Sequence, residues 1–113
     1  MSPTREGERG STLLFTALVM MVILLASAIA IDVGVIGAAR SQLQNAMDAS
    51  ALAGASGLFD DEAEATQRAI TFAGLNECMN EAVIITGANV SFPEADQVRV
   101  EDTHEIDLYF ARV

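Results

Sequence analysis

Residues 11–31 run from Ser11 to Ile31 without a single charged side chain. Few structures can accommodate such a stretch. In hydrocarbon every backbone amide must find its partner within the segment, and a helix does this by itself. At about 1.5 Å per residue, a run of about 21 residues is about 30 Å long, the thickness of a bilayer core. Asp32 closes the run. No proline or turn signal follows it, so the spacing predicts a transmembrane helix over 11–31 that continues beyond the bilayer.

Charge is distributed unevenly about this helix. Before it, Arg5 and Arg9 offset Glu6 and Glu8, so the net charge of −10 lies wholly after it. The sequence contains no lysine. An acidic segment of this kind repels nucleic acid, and no nucleic-acid partner is expected. Two arginines precede the span and only Arg40 follows closely, which by the positive-inside rule leaves residues 1–10 in the cytoplasm and the acidic part outside. A single cysteine, Cys78, excludes an intramolecular disulfide and a cysteine-rich metal site. It reads as a small apolar residue on a helix, with an intermolecular disulfide as the other reading.

The chain divides into a polar leader (1–10), the transmembrane helix (11–31), an extracytoplasmic extension of that helix (32–58) and a small acidic α+β domain (59–113). The leader, with Pro3, Gly7 and Gly10, is expected to be disordered. Within the span Ala26, Ala30, Gly34 and Ala38 recur every four residues and lay a ridge of small side chains along one face, where another helix can approach closely. In the extension, Ile36, Ala39, Leu43, Ala46, Met47, Ser50, Ala53 and Gly54 share one side, and Ser41, Gln44, Asn45 and Asp48 the other. That apolar side is so poor in bulk that it needs close contact with a partner. Gly54, Ser56 and Gly57 weaken the helix and Phe59-Asp60-Asp61 breaks it.

A second helix is expected from about Glu62 to Glu81. Asp61 and Glu64 form its capping box, Glu64 and Arg68 an i,i+4 pair, and Ala65, Ala69, Phe72, Ala73 and Asn76 one face. The acidic run 60–64 lacks the ligand alternation of a calcium loop. Short strands follow at 83–86 and 90–92, joined by a turn at Gly87-Ala88-Asn89. The last strand alternates most clearly: Val98, Val100, Ile106, Leu108 and Phe110 fall on one side. Asp102 and His104 interrupt that side, where a bend or bulge is expected. The fold class is therefore α+β: a long N-terminal helix, a second helix and a small antiparallel sheet.

No catalytic, cofactor-binding or metal-ligating constellation is visible. His104 is the only histidine, no serine lies in a nucleophile elbow, and the glycines at 34, 37, 54 and 57 sit in an alanine-rich helix rather than a phosphate loop. Two features concern assembly instead. Asp32 either marks the water edge of the span or pairs with the terminal amine or arginine of a neighbouring subunit, since an unpaired carboxylate in hydrocarbon costs about 2.5–3.5 kcal/mol. The Gly10–Ser11 bond, just before the apolar run, is a candidate site for removal of the leader on the cytoplasmic side. Ordinary signal cleavage would use Ala26-Ser27-Ala28 or Ala28-Ile29-Ala30.

Arg9-Gly10, Asp32-Val33-Gly34, Ala39-Arg40, Leu43-Gln44-Asn45-Ala46, Asp48-Ala49 and Ala51-Leu52-Ala53-Gly54-Ala55 together resemble the N-terminal module of TadE/TadG-like proteins of the Tad (Flp) branch of type IV pilus machinery. The resemblance continues through Ala73 to Asn76 and Tyr109 to Arg112. It implies a non-enzymatic, pilin-like bacterial protein held in the inner membrane by one helix. Such a protein is a minor subunit of an adhesive pilus or an assembly factor, and its partners are membrane lipid and other pilus subunits, in a homo- or hetero-oligomer. The sequence departs from type IV pilins in carrying Phe15 where they place a glutamate five residues after the cleavage glycine. Two other readings stay open: a tether for an extracellular binding domain, and an acidic enzyme or binder released by signal cleavage.

Overall fold

The computed structural model describes residues 5–111, with side chains from residue 10 onward. Helix α1 spans Arg5–Gly57, so the leader is helical from Arg5 rather than disordered, and the helix crosses Asp32 without a break. Two hydroxyls inside the apolar run donate to carbonyls one turn back, Thr16 Oγ1 to Thr12 at 2.8 Å and Ser27 Oγ to Ile23 at 2.8 Å. Bonded in this way, they add no unpaired polar group to the span. The chain forms two compact units, Ile36–Ile106 and Met1–Val35 with Asp107–Val113.

In the first unit, the second half of α1 packs on α2 (Glu62–Gly74). Asp61 caps α2 by accepting the Glu64 N–H at 2.7 Å. The Glu64 carboxylate turns instead to Arg68 Nε at 2.7 Å, so the capping is one-sided and the i,i+4 pair is made. Arg68 also reaches Asp60 Oδ2 at 3.1 Å and Ser56 Oγ at 3.3 Å, tying the connection between the helices. Its guanidinium is held above its ordinary pKa, chiefly by the hydrogen bond to Glu64.

The interface between α1 and α2 is built from small residues. Ala46, Ser50, Ala53, Gly54 and Gly57 of α1 and Ala65, Ala69 and Ala73 of α2 are all buried, and Ser50 Oγ donates to the Ala69 carbonyl at 2.6 Å. Each methyl contributes only about 0.8 kcal/mol by burial. Close approach compensates, because dispersion falls steeply with any gap. The partner demanded by the small face therefore comes from the same chain, α2 against residues 50–57 and Cys78 against Ala39. Ile36 and Phe72, both assigned to the buried faces, are exposed.

Helix α2 ends at Gly74, seven residues before the expected end at Glu81. The residues beyond it form an antiparallel hairpin, β1 (Glu77–Cys78) with β2 (Glu81–Ala82), in which Cys78 faces Glu81. Its two central residues, Met79 and Asn80, have φ of 53° and 67°. Positive φ at both positions is the signature of the tight turn whose twist suits a two-residue hairpin, usually met as Asn-Gly. Gln42 Oε1 accepts the Met79 N–H at 2.8 Å, and the Cys78 thiol donates to the Ala39 carbonyl at 3.5 Å, so the hairpin is seated on α1.

Residues 83–86, expected as a strand, make no ladder, although Val83 and Ile85 alternate into the core. A 3-10 turn at Gly87–Asn89 leads into β3 (Val90–Ser91), which pairs antiparallel with β4 (Arg99–Val100). The long last strand is thus only two residues of ladder followed by extended chain. Alternation nevertheless continues: Asp102, His104 and Ile106 are half-buried between exposed Glu101, Thr103, Glu105 and Asp107. The expected bend or bulge at 102–104 is absent, because Asn89 meets the polar side chain there. Its Nδ2 donates to the Glu101 carbonyl at 2.9 Å and to Asp102 Oδ1 at 3.3 Å.

Candidate functional site

Asp32 is the last residue one would bury by composition, yet it is only 5% exposed. It sits on α1 immediately after the apolar run. Its carboxylate collects three backbone donors from the bend at 109–111: Tyr109 N–H to Oδ1 at 3.0 Å, Phe110 N–H shared between Oδ1 at 3.2 Å and Oδ2 at 3.1 Å, and Ala111 N–H to Oδ2 at 2.6 Å. Hydrogen bonds to an ionised acceptor are worth about 1.5–3 kcal/mol each, enough together to offset the cost of withdrawing one carboxylate from water. The arrangement is an anion cradle of successive amides filled by a side chain of the same chain. Within the chain the partners of Asp32 are therefore the backbone amides of residues 109–111. Sequence reading identified the residue as needing a partner; nothing in the local pattern pointed to amides 77–79 residues away.

The small-residue ridge lies elsewhere on the same helix. Residues 26, 30, 34 and 38 are exposed, and a Cβ added at Gly34 or at Gly37 would meet nothing within 4 Å. At 3.6 residues per turn, Gly34 lies about 200° around the helix from Asp32. The ridge is thus on the side away from the Asp32 carboxylate. Gly10 is exposed and, with Ser11, lies inside α1. Through 11–31 every residue is exposed except Ala28, one turn before Asp32 on its face. An apolar helix this long and this uncovered fits a single-pass membrane anchor.

Beyond the apolar run, an open groove of about 770 Å³ is lined by Arg40, Gln44 and Asp48 of α1 and by Asn89, Glu101 and Asp102, among others. Among the described residues no group of three His, Cys, Asp or Glu side chains stands close enough to hold a metal ion. His104 is half-buried in the extended segment, and Cys78 is 1% exposed, so its thiol is enclosed in the core.

Compared with known families, residues 10–57 match the Tad model, which describes Flp pilus-assembly TadE/G-like proteins. The match ends where α1 ends, at Gly57. Neither curated proteins nor solved structures give a match to the chain.

Proposed function

We propose, from the premise that residues 10–57 are a TadE/G-like module of Flp pilus assembly, that this chain is a non-enzymatic structural component of that machinery. It acts as a minor pilin-like subunit or assembly factor in the inner membrane. Residues 1–10 lie in the cytoplasm and residues 36–106 outside, in keeping with Arg5 and Arg9 before the span. Its anchor helix associates with neighbouring helices of pilus subunits through Ala26, Ala30, Gly34 and Ala38. The observation that carries this reading is the coincidence of the family match with a helix whose apolar run is uncovered on nearly every side.

Gly34 gives the test. Because nothing lies within 4 Å of an added Cβ, Gly34→Ala is free of clashes within the chain and strengthens the helix by about 1 kcal/mol. Gly34→Leu starts from the same open Cβ position but adds bulk that holds a neighbouring helix away from the ridge. Crosslinking in native membranes and recovery of pili are expected to survive Ala and fail with Leu. Equal behaviour of the two variants would mean that the ridge faces lipid and would refute association through it.

A further inference from the structure

Two aromatic side chains are carried by the segment that Asp32 holds. Tyr109 is 73% exposed and Phe110 55% exposed, and each donates its own backbone N–H to the Asp32 carboxylate. Leu108 precedes them, half-buried. Asp32 is the first residue after the apolar run, so the hydrogen bonds fix the level of this segment along the helix. That level is the edge of the hydrocarbon layer, about 15 Å from its centre. Ala28, one turn deeper on the Asp32 face, is the only residue of 11–31 that is not exposed.

We propose that Tyr109 and Phe110 form a second membrane contact, resting in the boundary between lipid headgroups and acyl chains, and that Asp32 is the residue that positions them there. The inference rests on the membrane reading of 11–31 and goes beyond it, since it assigns a lipid contact to a segment separated from the anchor by the whole of Ile36–Ile106. Aromatic rings favour this depth: the tyrosine ring buries its body and keeps its hydroxyl wet, and phenylalanine lies just below it. The backbone, which would be costly there unpaired, is satisfied by the carboxylate. Reciprocally, the three amides take the place of water around the Asp32 carboxylate, which lowers the cost of holding that charge at the interface.

The chain contains no tryptophan, so Tyr109→Trp and Phe110→Trp each introduce a single reporter. The full chain, reconstituted in phosphatidylcholine vesicles with acyl chains brominated near the headgroup or near the bilayer centre, gives the depth. Both reporters are expected to show blue-shifted emission and stronger quenching by the shallow than by the deep bromines. Leu18→Trp in mid-span should show the reverse order; absence of any quenching there would overturn the membrane reading itself and this proposal with it. Adding Asp32→Ala to Tyr109→Trp should abolish the quenching at 109 while Cys78 remains protected from thiol reagents, which separates release of the segment from unfolding. Unquenched, red-shifted reporters at 109 and 110 would overturn the lipid contact, as would unquenched but blue-shifted emission, which would mean a protein partner covers them. Quenching that survives Asp32→Ala would overturn the positioning role of the carboxylate.

Discussion

Gly57→Ala is the sharpest probe of how the two helices meet. A Cβ at Gly57 would lie 2.7 Å from Ala65 Cα, 2.8 Å from Ala65 N and 3.0 Å from the Glu64 carbonyl carbon. All three are backbone atoms of the first turns of α2, so no side chain can swing aside and the helices must separate. Such overpacking costs about 1–3 kcal/mol, against which the better helix propensity of alanine returns at most about 1 kcal/mol. A net loss of about 1–2 kcal/mol raises the open population by about 5- to 30-fold. Cys78, enclosed beside Ala39, reports it: labelling of this single thiol by a disulfide reagent in micelles follows opening of the unit. Gly54→Ala should cost less, since its neighbours are the Val98 Cγ1 atom at 3.1 Å and Ala65 O and Ala69 Cβ at 3.3 Å. Gly37→Ala, facing open space, should slow labelling by up to about fivefold. The reasoning fails if Gly57→Ala labels no faster than wild type, or if the order Gly57, Gly54, Gly37 is not kept.

Removing the helix cap by Asp61→Ala, which leaves the Glu64 N–H without its acceptor, should lower stability by about 1 kcal/mol in the same thiol assay. Arg68→Gln should loosen the connection between α1 and α2 at low ionic strength and differ little from wild type in concentrated salt, because its partners Glu64 and Asp60 are well exposed; proteolysis at 58–61 across a salt series measures this. For the leader, intact mass of the protein from native membranes is decisive. A chain starting at Ser11 would indicate prepilin-type processing, one starting at Met1 or Ser2 an uncut anchor, and one starting at Ile29 or Ile31 would refute membrane anchoring by residues 11–31.

The helical part of this fold was legible because its constraints are local. The uncharged run, the three- and four-residue spacing from Ala39 to Gly54, the Asp61 cap and the Glu64–Arg68 pair all depend on neighbours within two turns. Even the poverty of bulk on the extension was informative, since it called for a close partner, although the identity of that partner as Ala65, Ala69 and Ala73 was not. The strands were less legible for a physical reason. Alternation in 83–86 and in 98–110 marks which side chains turn inward, and burial follows it through Leu108. A ladder needs a second strand at the right register, and only Val90–Ser91 and Arg99–Val100 have one. The hairpin at 77–82 escaped because Met79 takes a left-handed conformation that a residue with a Cβ rarely adopts. There its half-buried side chain packs against the core and its N–H is held by Gln42. The Asp32 cradle was invisible for a different reason: backbone amides carry no residue identity, so no sequence pattern announces them.

The span in sequence between Asp32 and its donors sets an order of events. At about 5–20 residues per second of synthesis, Ala111 follows Asp32 by about 4–16 s. The anchor helix is complete well before the amides that receive its carboxylate exist. Closing a loop of this length costs about 4 kcal/mol of chain entropy if the intervening residues are unfolded, and less once Ile36–Ile106 has condensed. The cradle therefore closes last, after the whole of the intervening chain has been made. Until then the Asp32 carboxylate lacks the three amides that enclose it in the finished fold, and water must take their place.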